Sequence, residues 1–347
     1  MTAPDERAAQ AGLVLDVKHL RVWYSGPGGP VRAVDGVDFA LQPGEVLGLV
    51  GESGCGKSTL GRGLMGLVPR GAVVDGTVRF DGRDLLAMPK KERDRTRGAG
   101  MGLIFQEPMT RLDPLMRISE HFDEALKTHE KNLSKKERET RALDALRALG
   151  IPPTRFKNYP HEFSGGMRQR IMIALALALR PKFIVADEPT TALDVLVEAQ
   201  ILRILEDIRE RFAPAILLIT HNLGIVAEAC DRVAVMYAGR IVEQGPVADV
   251  FASPQHPYTR ELLRSTISLR TQELHSIPGA PPDLVAPPSG CHFHPRCPSA
   301  MRICTTTPPP RVTVGAQRSE CWLLDPALSG PDAEPLVHEE VSVADEA

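Results

Sequence analysis

The sequence lacks any apolar run long enough to cross a bilayer. The longest such run near the middle of the chain, IMIALALAL at 171–179, has nine residues, whereas a transmembrane helix needs roughly 20. The first residues, MTAPDERAAQ, include acidic side chains and no apolar stretch of the kind found in a secretory signal. From the residues alone we therefore expect a cytoplasmic protein with no membrane-spanning segment.

Excess positive charge and abundant cysteine are also absent. The 41 basic and 44 acidic residues give a formal net charge of −3, which provides no electrostatic reason to expect nucleic acid as a partner. The chain has six cysteines among 347 residues. In a reducing compartment, clustered thiols hold a metal more often than they form disulfides. A chain of this length can bury one large core with a smaller appendage, or two modest domains.

The pattern of apolar runs and turn signals predicts an α/β fold. Strand-like segments alternate with turns near the N-terminus (LRVWY, VDFALQPGEVLGLVG, GTVRFDG) and return at FIVAD and AILLIT. Between about Pro114 and Pro160 the sequence is typical of charged, Ala/Leu-patterned helices, including SKKERETRALDALRALG. After about Pro254 prolines cluster and periodicity fades, and the last residues are acidic without Lys or Arg.

A glycine-rich segment, GESGCGKST at 51–59, directly follows the apolar strand EVLGLV. It matches G-x-x-x-x-G-K-[ST], in which glycines let backbone N–H groups face phosphates at a helix N-terminus. Lys57 is expected to reach the β- and γ-phosphates of a nucleoside triphosphate, and Ser58 to coordinate Mg²⁺. The other nucleotide contacts expected in this loop are Gly51, Ser53, Gly54, Cys55, Gly56 and Thr59.

A second segment, FIVADEPTTALD, ends an apolar strand in two carboxylates. Asp187 is predicted to hold Mg²⁺ through water, and Glu188 to polarise the attacking water. Alone, such a strand end is common and therefore weak evidence. The segment FSGGMRQR at 163–170 adds weight, because it predicts a helix that starts with Ser164 as N-cap. Its N-terminus is a second anion site, which one nucleotide does not need within one subunit.

Taken in this order, the three segments resemble the nucleotide-binding subunits of ATP-binding-cassette (ABC) transporters, whose signature segment caps the γ-phosphate held by the other subunit. The resemblance covers roughly residues 13–325 and implies a P-loop NTPase of the ABC ATPase type. That fold has a RecA-like core, an antiparallel β subdomain and an α-helical signature subdomain, here followed by a small cysteine-containing extension. The boundaries expected are a disordered N-terminal tail at 1–12, the ABC ATPase domain at 13–253 with its helical subdomain at about 107–180, the extension at 254–325, and a disordered acidic tail at 326–347.

The resemblance also implies roles for residues outside the phosphate loop. Gln106, in the Q-loop, is expected to contact Mg²⁺ and the attacking water, and His221 to hydrogen-bond the γ-phosphate. Together with Glu188 these form the expected catalytic set, while Ser58, Gln106 and Asp187 form the expected Mg²⁺ set. Asp194 matches the D-loop, which crosses the dimer interface.

The remaining expected contacts concern the adenine and the partner subunit's nucleotide. Tyr24 matches the aromatic residue that stacks on adenine, and a role as a core aromatic is the alternative. Ser164, Gly165 and Gly166 are expected to contact the nucleotide held by the partner. Met167 stands where the family most often has Gln, which leaves the nucleotide contact at that position open.

Three segments after His221 resemble the C-terminal extension of oligopeptide and dipeptide importer ATPases: HPYTRELL, IPGAPPDL and GCHFHPRCP. The match is best to the D-type subunits of these permeases. It implies ATP-driven uptake of di- or oligopeptides at the cytoplasmic face of the membrane. The implied partners are a paralogous F-type ATPase subunit forming a heterodimer, two integral membrane permease subunits and an extracellular or periplasmic substrate-binding protein.

Other ABC functions are alternatives to peptide uptake. Import of nickel or heme stays open, as does an exporter ATPase. A soluble ABC ATPase acting on nucleic acid through a zinc module is disfavoured, because the chain has one cassette and its cysteines have few basic or aromatic neighbours. We therefore expect ATP and Mg²⁺ as ligands and no nucleic acid.

The last four cysteines, Cys291, Cys297, Cys304 and Cys321, are separated by five, six and sixteen residues. This spacing matches neither the paired C-x-x-C of structural zinc sites nor common ferredoxin patterns. Spacing alone leaves zinc, an iron–sulfur cluster, disulfides and unligated thiols open. The family resemblance favours a [4Fe–4S] cluster, with Zn²⁺ as the alternative. Cys55 and Cys230 are expected to have no metal role.

Overall fold

The computed structural model describes residues 12–104, 112–190, 195–265 and 276–336, and within these the strands form two sheets. The smaller sheet is antiparallel, in the order β2-β1-β4-β5. The larger is mixed, in the order β11-β12-β10-β9-β3-β8-β7-β6. The strands are β1 (Leu15–Gly26), β2 (Gly29–Leu41), β3 (Val46–Val50), β4 (Val73–Phe80), β5 (Arg83–Asp84), β6 (Met101–Ile104), β7 (Phe183–Asp187), β8 (Ala215–Ile219), β9 (Arg232–Tyr237), β10 (Arg240–Pro246), β11 (Arg311–Val314) and β12 (Gln317–Glu320).

Of the strands predicted from the sequence, EVLGLV, FIVAD and AILLIT lie in the larger sheet and are buried on both faces, whereas LRVWY, VDFAL and GTVRFDG lie in the smaller sheet. In β7, Phe183 and Val185 belong to the apolar cluster shared with the antiparallel sheet, whereas Ile184 and Ala186 belong to the cluster shared with the helices. Covering both faces explains why β3, β7 and β8 are continuously hydrophobic rather than alternating. These strands run parallel, β3 pairing with β8 and β8 with β7. Their carboxyl ends therefore meet at one edge of the sheet.

Helices flank this sheet and form a helical layer against it, as predicted. The helices are α1 (Lys57–Leu64), α2 (Lys90–Gly100), α3 (Ile118–His129), α4 (Lys135–Ala148), α5 (Gly165–Ala178), α6 (Val195–Phe212), α7 (Leu223–Ala229), α8 (Val247–Ala252) and α9 (Pro257–Arg264). Helix α4 begins at the N-cap Ser134, whose hydroxyl accepts the Glu137 N–H at 3.3 Å. The layer of α3, α4 and α5 shares one apolar core with strands of the larger sheet, and in this core the Phe122 and Phe156 rings lie 6.2 Å apart.

The C-terminal extension continues the larger sheet. Strand β12 pairs antiparallel with β10, and β11 forms a hairpin with β12 at the edge. A third apolar cluster joins the extension to the ATPase core through the rings of Tyr237, Tyr258 and Phe293. The extension is thus packed onto the same sheet that carries the phosphate loop.

Residues 326–336, expected to begin a disordered tail, make backbone hydrogen bonds to the extension. The Leu336 N–H donates to the Ala300 carbonyl at 2.8 Å, and the Arg302 N–H donates to the Glu334 carbonyl at 3.0 Å. An acidic composition predicts disorder only where the segment has no hydrogen-bonding partner for its backbone, and here residues of the extension are that partner. Residues 1–11 of the predicted N-terminal tail and 337–347 of the C-terminal tail lie outside the described residues. None of the helices described is long and apolar enough to span a membrane.

Candidate functional site

The phosphate loop joins β3 to α1 through a backbone that requires glycine. Gly51 has φ 149° and Gly56 has φ 110°, both in the left-handed region. A Cβ at Gly51 would lie 2.1 Å from the Met236 carbonyl oxygen, and one at Gly56 would lie 1.9 Å from that of Ala33. The loop therefore packs against neighbouring backbone with no room for side chains at these positions.

Lys57 is the first residue of α1 and is buried. Its ammonium group donates to the carbonyl oxygens of Gly51 at 2.7 Å and Glu52 at 3.0 Å. A fixed positive charge beside a helix N-terminus is suited to binding an anion such as a phosphate. These residues therefore fit the triphosphate that the loop motif predicts.

Ser58 and Asp187 meet at the carboxyl edge of the sheet, where the Ser58 hydroxyl donates to Asp187 Oδ1 at 2.9 Å. Burial raises the pKa of Asp187, while the Ser58 hydrogen bond and the charge of Arg62 oppose this shift. A hydroxyl and a carboxylate oxygen are ligands of the kind Mg²⁺ prefers. The pair thus fits the Mg²⁺ site predicted from the sequence.

Glu188 follows Asp187 and takes a left-handed backbone with φ 47°, held by a 2.9 Å hydrogen bond from its N–H to the Ile219 carbonyl. Its carboxylate lies 3.5 Å from His221 Nδ1. The Glu188 side chain is 17% exposed and that of His221 64%. In such a pair the shielded carboxylate can accept a proton from water, and the solvent-facing imidazole can hydrogen-bond a nearby oxygen.

The structure places Tyr24 beside the end of the phosphate loop. Its hydroxyl lies 3.3 Å from the Thr59 hydroxyl, and its ring packs partly against the apolar core. The adjacent Trp23 instead has Arg32 over its ring, at 5.2 Å. Tyr24 is therefore the aromatic of this pair that contacts the loop, and both roles expected for it stay predictions.

The signature segment starts α5 as predicted. The Ser164 hydroxyl caps the helix by accepting the Met167 N–H at 3.4 Å. Sequence reasoning missed Gln169 in the same helix, which is buried and donates to the Pro189 carbonyl at 2.7 Å. A lone amide in a mostly apolar helix was the available signal, because a buried amide needs a partner. Gln106 and Asp194 lie outside the described residues.

Comparison with known proteins agrees with this geometry. The ABC transporter family model matches residues 34–191, and the model of the oligopeptide/dipeptide transporter C-terminal region matches residues 242–304. The oligopeptide transport ATP-binding protein OppD of Escherichia coli is 49% identical over 304 residues, which are 86% of this chain and 90% of that protein. The chain belongs to the ABC transporter family, in its oligopeptide/dipeptide group. The dipeptide transport ATP-binding protein DppD of Bacillus subtilis is 47% identical over 319 residues, 90% of this chain and 95% of that protein.

Solved structures confirm the predicted ABC ATPase fold. The ATP-binding cassette MJ0796, in a dimeric post-hydrolysis state bound to ADP and Pi, is 26% identical with a TM-score of 0.61, covering 67% of this chain and 98% of that one. CbiO1 of Clostridium perfringens, part of the ABC transporter complex CbiONQ, is 28% identical with a TM-score of 0.61, covering 70% and 92%. The predictions of an ABC ATPase and of the oligopeptide/dipeptide group are thus confirmed.

Of the four C-terminal cysteines of this ABC subunit, Cys297, Cys304 and Cys321 are buried and Cys291 is half-buried. Burial raises the pKa of Cys291 and Cys297 to about 12 and that of Cys321 to about 11, and neighbouring cysteines add to each shift. The thiols are therefore near neighbours. Across the described ranges, however, no three His, Cys, Asp or Glu side chains are arranged to hold a metal ion. The predicted iron–sulfur or zinc site is not shown.

Sequence reasoning also missed contacts between the extension and the phosphate loop of this ABC subunit. Tyr258 and Arg296 both hydrogen-bond Glu52, the second residue of the loop. HPYTRELL and GCHFHPRCP indicate the family, but no pattern in them says which part of the fold they contact.

Proposed function

We propose that this chain hydrolyses ATP to drive uptake of di- and oligopeptides, as one subunit of an ABC importer. The observation that carries the proposal is that one chain contains both matches, to the ABC transporter family at 34–191 and to the oligopeptide/dipeptide transporter C-terminal region at 242–304. The curated relatives named above transport oligopeptides and dipeptides, which favours peptide over the alternatives of nickel and heme.

The nucleotide site acts through the residues at the carboxyl edge of the sheet. Lys57 and the phosphate loop bind the phosphates, and Ser58 and Asp187 would hold Mg²⁺. Bound there, Mg²⁺ would neutralise charge on the phosphates. Glu188 orients water and accepts its proton, and His221 hydrogen-bonds the γ-phosphate. Gln106, Tyr24 and the remaining loop residues complete the proposed site.

ATP would be shared between two subunits. Ser164, Gly165 and Gly166 would contact the nucleotide bound by the partner, and Asp194 would lie at the interface. MJ0796 is dimeric when bound to ADP and Pi, which supports this arrangement for a chain of the same fold. Binding then pulls the ATPase subunits together and hydrolysis releases them. We propose a paralogous F-type subunit as the partner, giving a heterodimer.

The complete transporter would place this chain at the cytoplasmic face of the membrane. Two integral membrane permease subunits would bind it near Gln106 and couple subunit closure to alternating access. An extracellular or periplasmic binding protein would deliver the peptide. Purification of the intact complex tests these partners, and recovery of a single type of ATPase subunit would contradict the heterodimer.

Peptide uptake is the experiment that tests the function. In cells that lack the gene for this chain, the wild-type gene should restore uptake of labelled di- and tripeptides. Lys57→Ala should not restore it, because the variant loses the loop's buried charge. Lys90→Ala, at an exposed position on α2, is the matched control and should restore uptake fully. Restored uptake of nickel or heme without peptide would contradict the proposal.

We further propose that Cys291, Cys297, Cys304 and Cys321 bind a [4Fe–4S] cluster. The grouping of the thiols supports it, because neighbouring cysteines are among the causes that raise the pKa of Cys291 and of Cys321. Four Cys thiolates are the ligands that a [4Fe–4S] cluster takes. Anaerobic purification should give a brown protein with about four irons per chain, lost in Cys297→Ser. A colourless preparation with one zinc would contradict this proposal.

A further inference from the structure

Glu52, in the phosphate loop, forms a two-pronged ion pair with Arg296 of the extension. Arg296 Nη1 donates to Glu52 Oε2 at 2.7 Å, and Nη2 donates to Oε1 at 2.9 Å. The Arg296 side chain is 5% exposed and that of Glu52 22%. A paired guanidinium and carboxylate shielded from water form a strong, directional contact.

Arg296 is fixed independently of Glu52. Its Nε donates to the Pro278 carbonyl at 2.8 Å, and Nη2 also donates to the Ile277 carbonyl at 3.3 Å. Nη1 lies 3.4 Å from the Tyr237 hydroxyl. The extension therefore holds the guanidinium in place, and the guanidinium in turn restrains the carboxylate of the loop.

The backbone of Glu52 is held as well. Its N–H donates to the Tyr258 hydroxyl oxygen at 2.9 Å, and its carbonyl accepts the Lys57 ammonium at 3.0 Å. The Tyr258 ring is fully buried and lies 4.5 Å from the ring of Tyr237 and 5.3 Å from that of Phe293. A displacement of Glu52 would thus move one of the two carbonyls that position Lys57.

We propose that Arg296 is a positioning residue for ATP binding, which acts through Glu52 to hold the phosphate loop and Lys57 in the conformation that receives the phosphates. The inference deepens the proposed function, since it rests on ATP binding at this loop. A loop held in its binding conformation loses less conformational entropy when the ligand binds. Arg296 should therefore affect the affinity for ATP rather than the rate at which bound ATP is hydrolysed.

The test measures ATP binding and turnover separately on the purified full chain. Arg296→Met should raise the Kd and KM for ATP by about tenfold to a hundredfold. The kcat at saturating ATP should stay within about twofold of wild type, because no group of the hydrolytic set is altered. Glu52→Gln should act in the same direction. Because the two residues act through one contact, the variant that carries both substitutions should have a Kd for ATP no higher than that of the single variant with the higher Kd.

A matched control separates positioning from general stabilisation. Arg302→Met removes another arginine of the extension, whose 3.7 Å ion pair is with the exposed Glu334 rather than with Glu52. It should leave the Kd for ATP unchanged. Arg296→Lys keeps the positive charge but cannot donate two parallel hydrogen bonds to Glu52. Its affinity for ATP should therefore lie between those of Arg296→Met and the wild type. If Arg296→Met does not fold, Glu52→Gln and Arg296→Lys decide the matter, since both must weaken ATP binding.

Two outcomes would overturn the inference. One is a Kd for ATP within twofold of wild type in Arg296→Met, Arg296→Lys and Glu52→Gln, whatever their melting temperatures. The other is additive losses in the double variant, which would mean that Arg296 does not act through Glu52. Lys57→Ala distinguishes this failure from failure of the ATP site itself. If Lys57→Ala also leaves affinity unchanged, the site assignment fails rather than the role of Arg296.

Discussion

The Ser58 hydroxyl donates a hydrogen bond to the Asp187 carboxylate at 2.9 Å, joining residues 129 positions apart in the chain. The bond links the first turn of α1 to the last residue of β7. Two segments that the sequence assigns separately to Mg²⁺ thus meet at one point. Asp187 is 5% exposed, and burial raises the pKa of its carboxyl group. The site therefore holds a buried charge at some cost in stability.

Asp187→Asn should stabilise the nucleotide-free chain while abolishing Mg²⁺-dependent ATP hydrolysis. The amide can still accept the Ser58 hydrogen bond, but it has no charge to desolvate. We expect the free energy of unfolding at neutral pH to rise by about 0.5–2 kcal/mol, as is common when a functional group that destabilises the fold is replaced. Chemical denaturation in the presence of a chelator measures the gain.

The pH dependence gives this prediction a definite sign. The folded-state pKa of Asp187 lies above its unfolded value. The contribution of Asp187 to the free energy of unfolding is therefore most favourable below the unfolded pKa, and it is lost as the pH rises through the folded pKa. The advantage of Asp187→Asn should therefore be largest at neutral pH and vanish at acidic pH. An advantage that grew on acidification would show that burial does not govern this carboxyl.

Gly56→Ala should be far more damaging than Gly82→Ala. Both glycines have positive φ, 110° and 77°, but a Cβ at Gly82 meets nothing within 4 Å, whereas one at Gly56 meets the Ala33 carbonyl at 1.9 Å. The control thus isolates backbone strain from collision. We expect Gly56→Ala to lower the free energy of unfolding by at least about 2 kcal/mol more than Gly82→Ala. Equal melting temperatures would contradict the tight loop described above.

Gln169→Leu should slow ATP turnover more than it weakens ATP binding. The substitution leaves the buried Pro189 carbonyl without the 2.7 Å hydrogen bond that it receives next to Glu188. Losing such a bond costs about 1–3 kcal/mol and frees the backbone that carries the proposed base. Gln255→Leu, the same change at a half-buried amide that bonds Ser253, is the control. Equal loss of kcat in both variants would mean that the contact with Pro189 has no special role.

The sequence predicted the parts of the site that depend on local rules. The loop GESGCGKST has glycine at 51 and 56, where the backbone leaves no room for a side chain, and the residues FIVA before Asp187 are apolar because helices and a second sheet cover the two faces of the strand. Helix starts at Ser134 and Ser164 follow from capping by their own hydroxyls. Parallel pairing then brings the strand ends together.

Contacts between distant segments could not be predicted in this way. Nothing in GCHFHPRCP indicates that Arg296 reaches Glu52, 244 positions away, because long-range pairing depends on how the extension packs onto the sheet. The same holds for residues 326–336, whose acidic composition predicts disorder. There, backbone hydrogen bonds from Arg302 and Leu336 across the extension order the segment instead.

ATP hydrolysis by Glu188→Gln, measured together with ATP binding, tests the central claim most directly. The amide keeps the shape of the side chain but cannot accept a proton from the attacking water. The account predicts a fall in steady-state turnover of about 10²-fold or more, unchanged affinity for ATP, and accumulation of a closed dimer. Turnover equal to that of the wild type in the purified variant would contradict the role assigned to Glu188, and with it the mechanism proposed for this site.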